Sequence, residues 1–186
     1  TFFTDVKVPK ENLVGPLNGG WTVGKRLLQH ERNGLSAGGD GRPRFDTGHL
    51  RDVARRYYGQ EADGRLADAD FRTRLAVHDM EARAYALTLR RVALEARSAN
   101  GPSAATSIMK NANSRIMTDH CELMVEAMGL SGSGWSGDDF TDEEREAGRI
   151  YLRIKSSTIA GGSSEVQNNI ISKRILGLPD PSRHTY

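Results

Sequence analysis

Between positions 71 and 92 one stripe recurs: Phe71, Leu75, His78, Ala82, Tyr85, Leu89 and Val92, in steps of four and three. That spacing returns to the same side of an α-helix at every turn, so the segment reads as a helix with one face turned to a core. Arg72, Glu81, Arg83, Arg90 and Arg91 fall mostly off that face. The pattern predicts a helix over residues 71–99. Asn100, Gly101 and Pro102 close it, and Ser103 can cap the next. That next helix is predicted over residues 104–128. Its apolar residues are Ile108, Ala112, Ile116, Met117, Cys121, Leu123, Met124 and Met128. A face so wide needs covering from more than one side. Long helices that each demand a partner point to a helical bundle.

The flanking segments agree. Residues 21–36 carry Val23, Leu27, Leu28 and Leu35 among charged residues, and residues 45–58 form a second helical segment. Gly38, Gly39, Gly41 and Pro43 interrupt between them. No Lys-Ser/Thr pair follows these glycines, so they make no phosphate loop. Residues 129–135 read as a loop. Thr141, Asp142, Glu143 and Glu144 read as a capped helix start that runs toward Lys155. Residues 159–163 are a Gly-rich break, and a last helix is predicted over residues 164–174. The head differs. Phe2, Phe3, Val6 and Val8 form a β-favouring run, and Asn12 to Gly20 is turn chemistry. The expected fold class is mainly α, an antiparallel four-helix-bundle-type domain with a short N-terminal β remnant. The expected division is 1–20, the end of a β-domain and its linker, and 21–186, the bundle. The chain opens on Thr1 inside the β-favouring run, which reads as the start of a fragment.

Composition excludes several function classes. Among 186 residues, 26 Lys and Arg stand against 24 Asp and Glu, a net charge of +2. That balance, with both signs interspersed, does not call for nucleic acid. No apolar run reaches the roughly 18 residues of a membrane helix. The single Cys121 precludes an internal disulfide and a multi-cysteine metal site, and no metal is expected. Cys121 reads as a buried core thiol. His78 reads as a core histidine, while His49, His120 and His184 show no ligand spacing. No signal-peptide pattern stands at the head, and the expected compartment is cytoplasmic.

Two stretches go beyond bundle physics. One is Ile159-Ala-Gly-Gly-Ser-Ser-Glu-Val-Gln-Asn-Asn-Ile-Ile-Ser-Lys-Arg-Ile-Leu-Gly-Leu-Pro179. The other is Asp5-Val-Lys-Val-Pro-Lys-Glu-Asn-Leu-Val-Gly15, followed by Gly20-Trp21 and His30-Glu-Arg32. In this order and at this separation they resemble the C-terminal half of an acyl-CoA dehydrogenase, over essentially the whole chain. The resemblance implies α,β-desaturation of an acyl-CoA thioester with FAD as cofactor. A carboxylate removes the α-proton, and the β-hydrogen leaves as hydride to the flavin. Such chemistry needs a positioned base, and donors where charge develops on the thioester oxygen.

The resemblance also implies the site. Many relatives carry the base in a Tyr-Glu-Gly-Thr break, where this chain has Gly161. Others carry it in a Glu-Arg pair on the first bundle helix, where this chain has Glu31-Arg32. Glu31 is therefore the implied base, against the plainer alternative of an exposed helix Glu. Gly161 retains a backbone N–H for the thioester oxygen. Ser163 and Glu165 match residues that contact the adenine-side phosphates and ribose of FAD. A helix starting at Ser164 also presents free N–H groups. Arg55, within Ala54-Arg-Arg-Tyr-Tyr-Gly59, matches an arginine on the flavin pyrophosphate of a neighbouring subunit, with Arg56 as the alternative. Glu126 and Leu130 replace the Gln and Gly of a flavin-side loop. An acid there is unfavourable beside a pyrophosphate.

The implied partners are an acyl-CoA substrate, an electron-transfer flavoprotein, and other subunits in a homotetramer or mixed tetramer. The chain alone is expected to be inactive. Three alternatives remain: a non-catalytic partner subunit of a mixed tetramer, a helical assembly module, and a related flavin oxidase or monooxygenase. The space left by Gly161 suggests a bulky or α-substituted acyl group, as in fatty acid or sterol-type acyl-CoA metabolism.

Overall fold

The computed structural model describes residues 2–36, 46–98 and 106–179, with backbone alone for 29–36, 96–98 and 106. Among these residues it holds six α-helices: α1 Gly20–Ser36, α2 Thr47–Tyr58, α3 Ala69–Ser98, α4 Thr106–Met128, α5 Asp142–Ile154 and α6 Ser164–Arg174. Each lies within two residues or so of the helix its periodicity predicts. The expected interruption at residues 38–43 and the expected cap at Ser103 lie outside the described residues.

Local chemistry sets the helix starts. Asp46 caps α2, its Oδ1 accepting the N–H of Gly48 at 3.0 Å and of His49 at 3.1 Å. Gly59 closes α2 at φ +76°, its N–H donating to the Arg55 carbonyl. Asp68 accepts the Phe71 N–H at 2.7 Å and so starts α3. Thr141 and Glu144 form a reciprocal capping box at α5, as their sequence spacing predicts.

α4 is the central element, with α1, α2, α3, α5 and α6 all packed against it. This is the many-sided cover that its wide apolar face demands. The core joins Leu50, Val53 and Ala54 of α2, Leu66, Phe71 and Leu75 around the start of α3, and Leu123, Met124, Ala127 and Met128 of α4. Fully burying each large apolar side chain contributes about 1.5–3 kcal/mol. Cys121 is buried, as expected, and burial pushes its thiol up to about 11. In this state it is a poor nucleophile.

Two expectations are corrected. Residues 2–19 carry no strand, and Phe2, Phe3, Val6 and Val8 are all exposed. A strand needs a neighbour to pair its N–H and C=O groups, and among the described residues none forms a β-bridge with this segment. In α1, Val23 is half-buried while Leu27 and Leu28 are exposed. In α4, Ile108 is exposed while Ser107, Lys110 and Ser114 are buried. Apolar spacing alone misassigned Ile108 at the start of this helix, because the neighbours there offer carbonyls as well as apolar surface.

A polar seam ties α2 to α5. The Tyr57 hydroxyl donates to Glu144 Oε1 at 2.6 Å, and Arg56 pairs with Glu143 at 2.6 Å. The hydrogen bond from Tyr57, with those from Thr141, lowers the Glu144 carboxyl to about 2. Burial and the bond to Glu144 push Tyr57 up to about 12. A carboxyl depressed from 4.5 to about 2 binds its proton more weakly folded than unfolded. Its stabilisation is present above about pH 4.5 and is lost as pH falls toward about 2. Glu144→Gln should therefore flatten the acid limb of stability over that window, read by urea unfolding at stepped pH.

Candidate functional site

The Gly-rich break follows α5 through a 3-10 turn, Lys155–Thr158, and ends at the Ser163 N-cap of α6. Two consecutive glycines turn it, Gly161 at φ +71° and Gly162 at φ +99°. L residues with side chains rarely adopt that conformation, so both positions favour glycine where the chain reverses. A Cβ on Gly162 would also meet Gln167 Nε2 at 2.7 Å. No described residue accepts the Gly161 N–H, while its carbonyl accepts from Gln167 Nε2 at 2.7 Å. The break thus offers a backbone donor, the Gly161 N–H, that no described residue accepts. That is the property wanted for binding a developing oxyanion.

Ser163 makes no side-chain cap bond to α6. Its hydroxyl instead donates to the Glu165 carboxylate. That bond, then the Glu165 N–H, holds the carboxyl below its usual range, with Lys110 adding a smaller pull. Glu165 therefore occupies the positive end of α6 itself. This carboxylate suits hydroxyl donors such as a ribose better than a second anion.

Arg55 lies at the C-terminal end of α2 and keeps only a 3.5 Å pair with Asp52, with 41% of its side chain exposed. Arg56 is engaged by Glu143 across the seam. Of the two arginines, Arg55 is the one left to bind an anion. Among the described residues no hydrogen bond or ion pair joins Arg55 to the break. The Glu31 side chain lies outside the described residues, although its backbone continues α1.

The flavin-side loop departs from the expected difficulty. Both Glu126 oxygens are taken by the Arg74 guanidinium, one at 2.8 Å. A neutralised acid repels a pyrophosphate far less than a bare one. Leu130 is 91% exposed. Gly132 is buried against α4, where a Cβ would meet the Val125 carbonyl at 2.6 Å. That close approach requires glycine.

Two arrangements were not predicted from sequence. His78 and His120 meet across α3 and α4, Nε2 to Nδ1 at 3.1 Å. Burial lowers both, His120 to about 4. Their separation in sequence hides the pairing. Among the described residues, no group of three or more His, Cys, Asp or Glu could hold a metal ion. The second is a set of donors to the break: Lys110 Nζ reaches the Thr158 carbonyl at 3.1 Å and Ser114 Oγ the Ser157 carbonyl at 2.9 Å. The steps Ser107, Lys110 and Ser114 are three and four, so this polar stripe was legible on the helix face.

Among the described residues, no helix is long and apolar enough to cross a membrane. Residues 18–176 match the family model described as acyl-CoA dehydrogenase, C-terminal domain. Acyl-CoA dehydrogenase FadE26 of Mycobacterium tuberculosis is 31% identical over 192 aligned residues, covering 98% of this chain and 46% of the relative. Acyl-CoA dehydrogenase IpdE1 of the same organism is 28% identical over 182, covering 96% and 43%. The ChsE4-ChsE5 complex from Mycobacterium tuberculosis superposes with a TM-score of 0.72 at 26% identity, covering 96% of this chain and 46% of that one. The chain spans about half the length of the curated relatives it matches, 46% and 43% of these two. With the helical architecture and the glycine break described above, these matches show that the chain belongs to the acyl-CoA dehydrogenase family, as its C-terminal domain.

Proposed function

We propose that this chain supplies the C-terminal half of an FAD-dependent acyl-CoA dehydrogenase that desaturates an acyl-CoA thioester between the α and β carbons. The observation that carries the reading is the unengaged Gly161 N–H in the glycine break of a family member. Residues 1–20 are then the end of a β-domain and its linker, and residues 21–186 the bundle.

The residues present fit FAD. Arg55 is weakly paired and exposed, which suits a pyrophosphate. Ser163 and the ionised Glu165 suit the adenine-side ribose, whose hydroxyls can donate to the carboxylate, and Arg74 neutralises Glu126. When bound, FAD supplies the acceptor for the hydride that leaves the β carbon. Glu31 removes the α-proton as general base. The Gly161 N–H donates to the thioester oxygen as enolate charge develops there. Electrons pass onward to an electron-transfer flavoprotein, and the bundle joins a homotetramer or mixed tetramer. The lack of a side chain at Gly161 leaves room for a bulky or α-substituted acyl group, such as a sterol-derived one.

A visible absorption spectrum of the complete protein tests this, with acyl-CoA thioesters added in the absence of oxygen. A flavin band that bleaches is expected, faster with a branched or ring-bearing thioester than with a short straight one. Equal rates would overturn the preference for bulk. Arg55→Ala should weaken flavin retention about tenfold, the scale of losing a charge-assisted hydrogen bond, as measured by dialysis against dilute FAD. A second reading is a partner subunit without its own turnover. The missing carboxylate at Gly161 favours it, as does likeness to one chain of the two-protein ChsE4-ChsE5 complex. A protein that stays colourless after FAD is added would decide for this reading.

A further inference from the structure

Two adjacent glycines with positive φ make the break a poor holder of its own geometry. Each has a wide conformational range, and the intervening peptide can rotate without steric penalty. A backbone donor stabilises an oxyanion only if its direction is fixed beforehand. Something outside the break must fix the Gly161 N–H.

Three side chains do so from two helices. On α4, Lys110 is 9% exposed, and its ammonium donates to the Thr158 carbonyl at 3.1 Å. One turn along, the Ser114 hydroxyl lies 2.9 Å from the Ser157 carbonyl and 3.0 Å from the Lys110 carbonyl. On α6, Gln167 is 1% exposed, and its amide donates to the Gly161 carbonyl at 2.7 Å. The donors grip both sides of the turn, at residues 157, 158 and 161. The choice of a charged donor is informative. Burying an ammonium is costly unless it is well bonded, so a helix that needed only packing there would carry an apolar residue. Burial lowers the Lys110 ammonium, and Glu165, on the helix that follows the break, acts against that loss. Asn111 Nδ2 donates to Asn168 Oδ1 at 2.9 Å and holds α4 to α6 beside this grip.

We infer that Lys110, Ser114 and Gln167 are positioning residues that aim the Gly161 N–H at the thioester oxygen. They act through the backbone of the break and do not touch the substrate. This inference rests on the dehydrogenase reading above. It adds that part of the oxyanion geometry is set from α4, a helix that contributes no reacting group.

The test uses Lys110→Met and Gln167→Leu in the complete flavin-loaded protein, with two readouts. The first is amide hydrogen exchange of peptides covering residues 155–163, compared with peptides of α2 and the start of α3. The second is the absorption of a bound aryl-acryloyl-CoA, whose band moves to the red when its thioester carbonyl is polarised. Both variants should exchange at least tenfold faster in the break and unchanged in α2. They should lose most of the red shift. Turnover should fall ten- to a hundredfold with KM changed less than threefold, and Lys110→Arg should recover part of each effect. Unchanged exchange in the break overturns the proposal, whatever the activity. A red shift that survives in both variants also overturns it, since the donor is then aimed without them. If the wild-type protein itself produces no red shift and no bleaching, the dehydrogenase reading fails and the oxyanion role with it. That result is distinct from a wild-type shift that persists in the variants.

Discussion

Glu31→Gln is expected to lower turnover by roughly a hundred- to ten-thousand-fold, the span over which a positioned general base acts. The amide keeps the size and shape of the carboxylate but cannot accept the α-proton. Flavin should stay bound, because Glu31 has no part in the groups assigned to FAD. The family's alternative position for a base is occupied by Gly161, which has no side chain to substitute for the lost carboxylate. The measurement is the single-turnover rate of flavin bleaching by an acyl-CoA thioester, with the visible spectrum recorded first. Bound flavin with wild-type bleaching would remove Glu31 from the mechanism and return it to the class of ordinary helix carboxylates.

Phe71→Ala should be the most damaging single truncation in the core, at about 3–5 kcal/mol. Phe71 is 1% exposed and joins α3 to both neighbours in the main core. Its ring meets that of Tyr58 at a tilt of 42° with centroids 4.9 Å apart, and the Arg74 guanidinium covers it at 5.5 Å. Truncation opens a cavity between three helices that cannot all close on it. For a domain of this size the loss corresponds to a drop of roughly 6–20 °C in Tm. Met80 lies on the same helix and is 71% exposed, and Met80→Ala should change stability by less than about 0.5 kcal/mol. Thermal unfolding of the two variants, followed by far-UV circular dichroism, makes the comparison. Similar losses in both would mean that the α3 stripe does not face the core.

Acid should weaken the fold in two stages. His120 is lowered from 6.5 to about 4 by burial and then by His78, so the unfolded chain takes up a proton there first. Stability is full above about pH 6.5 and declines as pH falls toward about 4. The Glu144 stage follows below it. His120→Gln should shrink the upper stage to the part that buried His78 contributes and leave the lower stage intact, read by urea unfolding between pH 7 and 2.

Much of this protein is legible in its residues. The α3 stripe, the Thr141–Glu144 capping box and the α6 start at Ser164 all follow from interactions within a few residues, and the helices form where they predict. The family resemblance is equally local, since it rests on contiguous motifs around Glu31 and Gly161. Sequence alone could not say which side chains would meet. Arg74 with Glu126, His78 with His120, and Tyr57 with Glu144 are separated by 52, 42 and 87 positions. Only the packing of helices against α4 brings them together. The same packing buries Lys110 and Ser114 where periodicity favoured Ile108, because a helix face is chosen by what lies opposite it. Sequence determined the helices, their ends and the family. Tertiary structure decided the partners of the charged groups and the grip on the glycine break, because those are contacts between segments far apart in the chain.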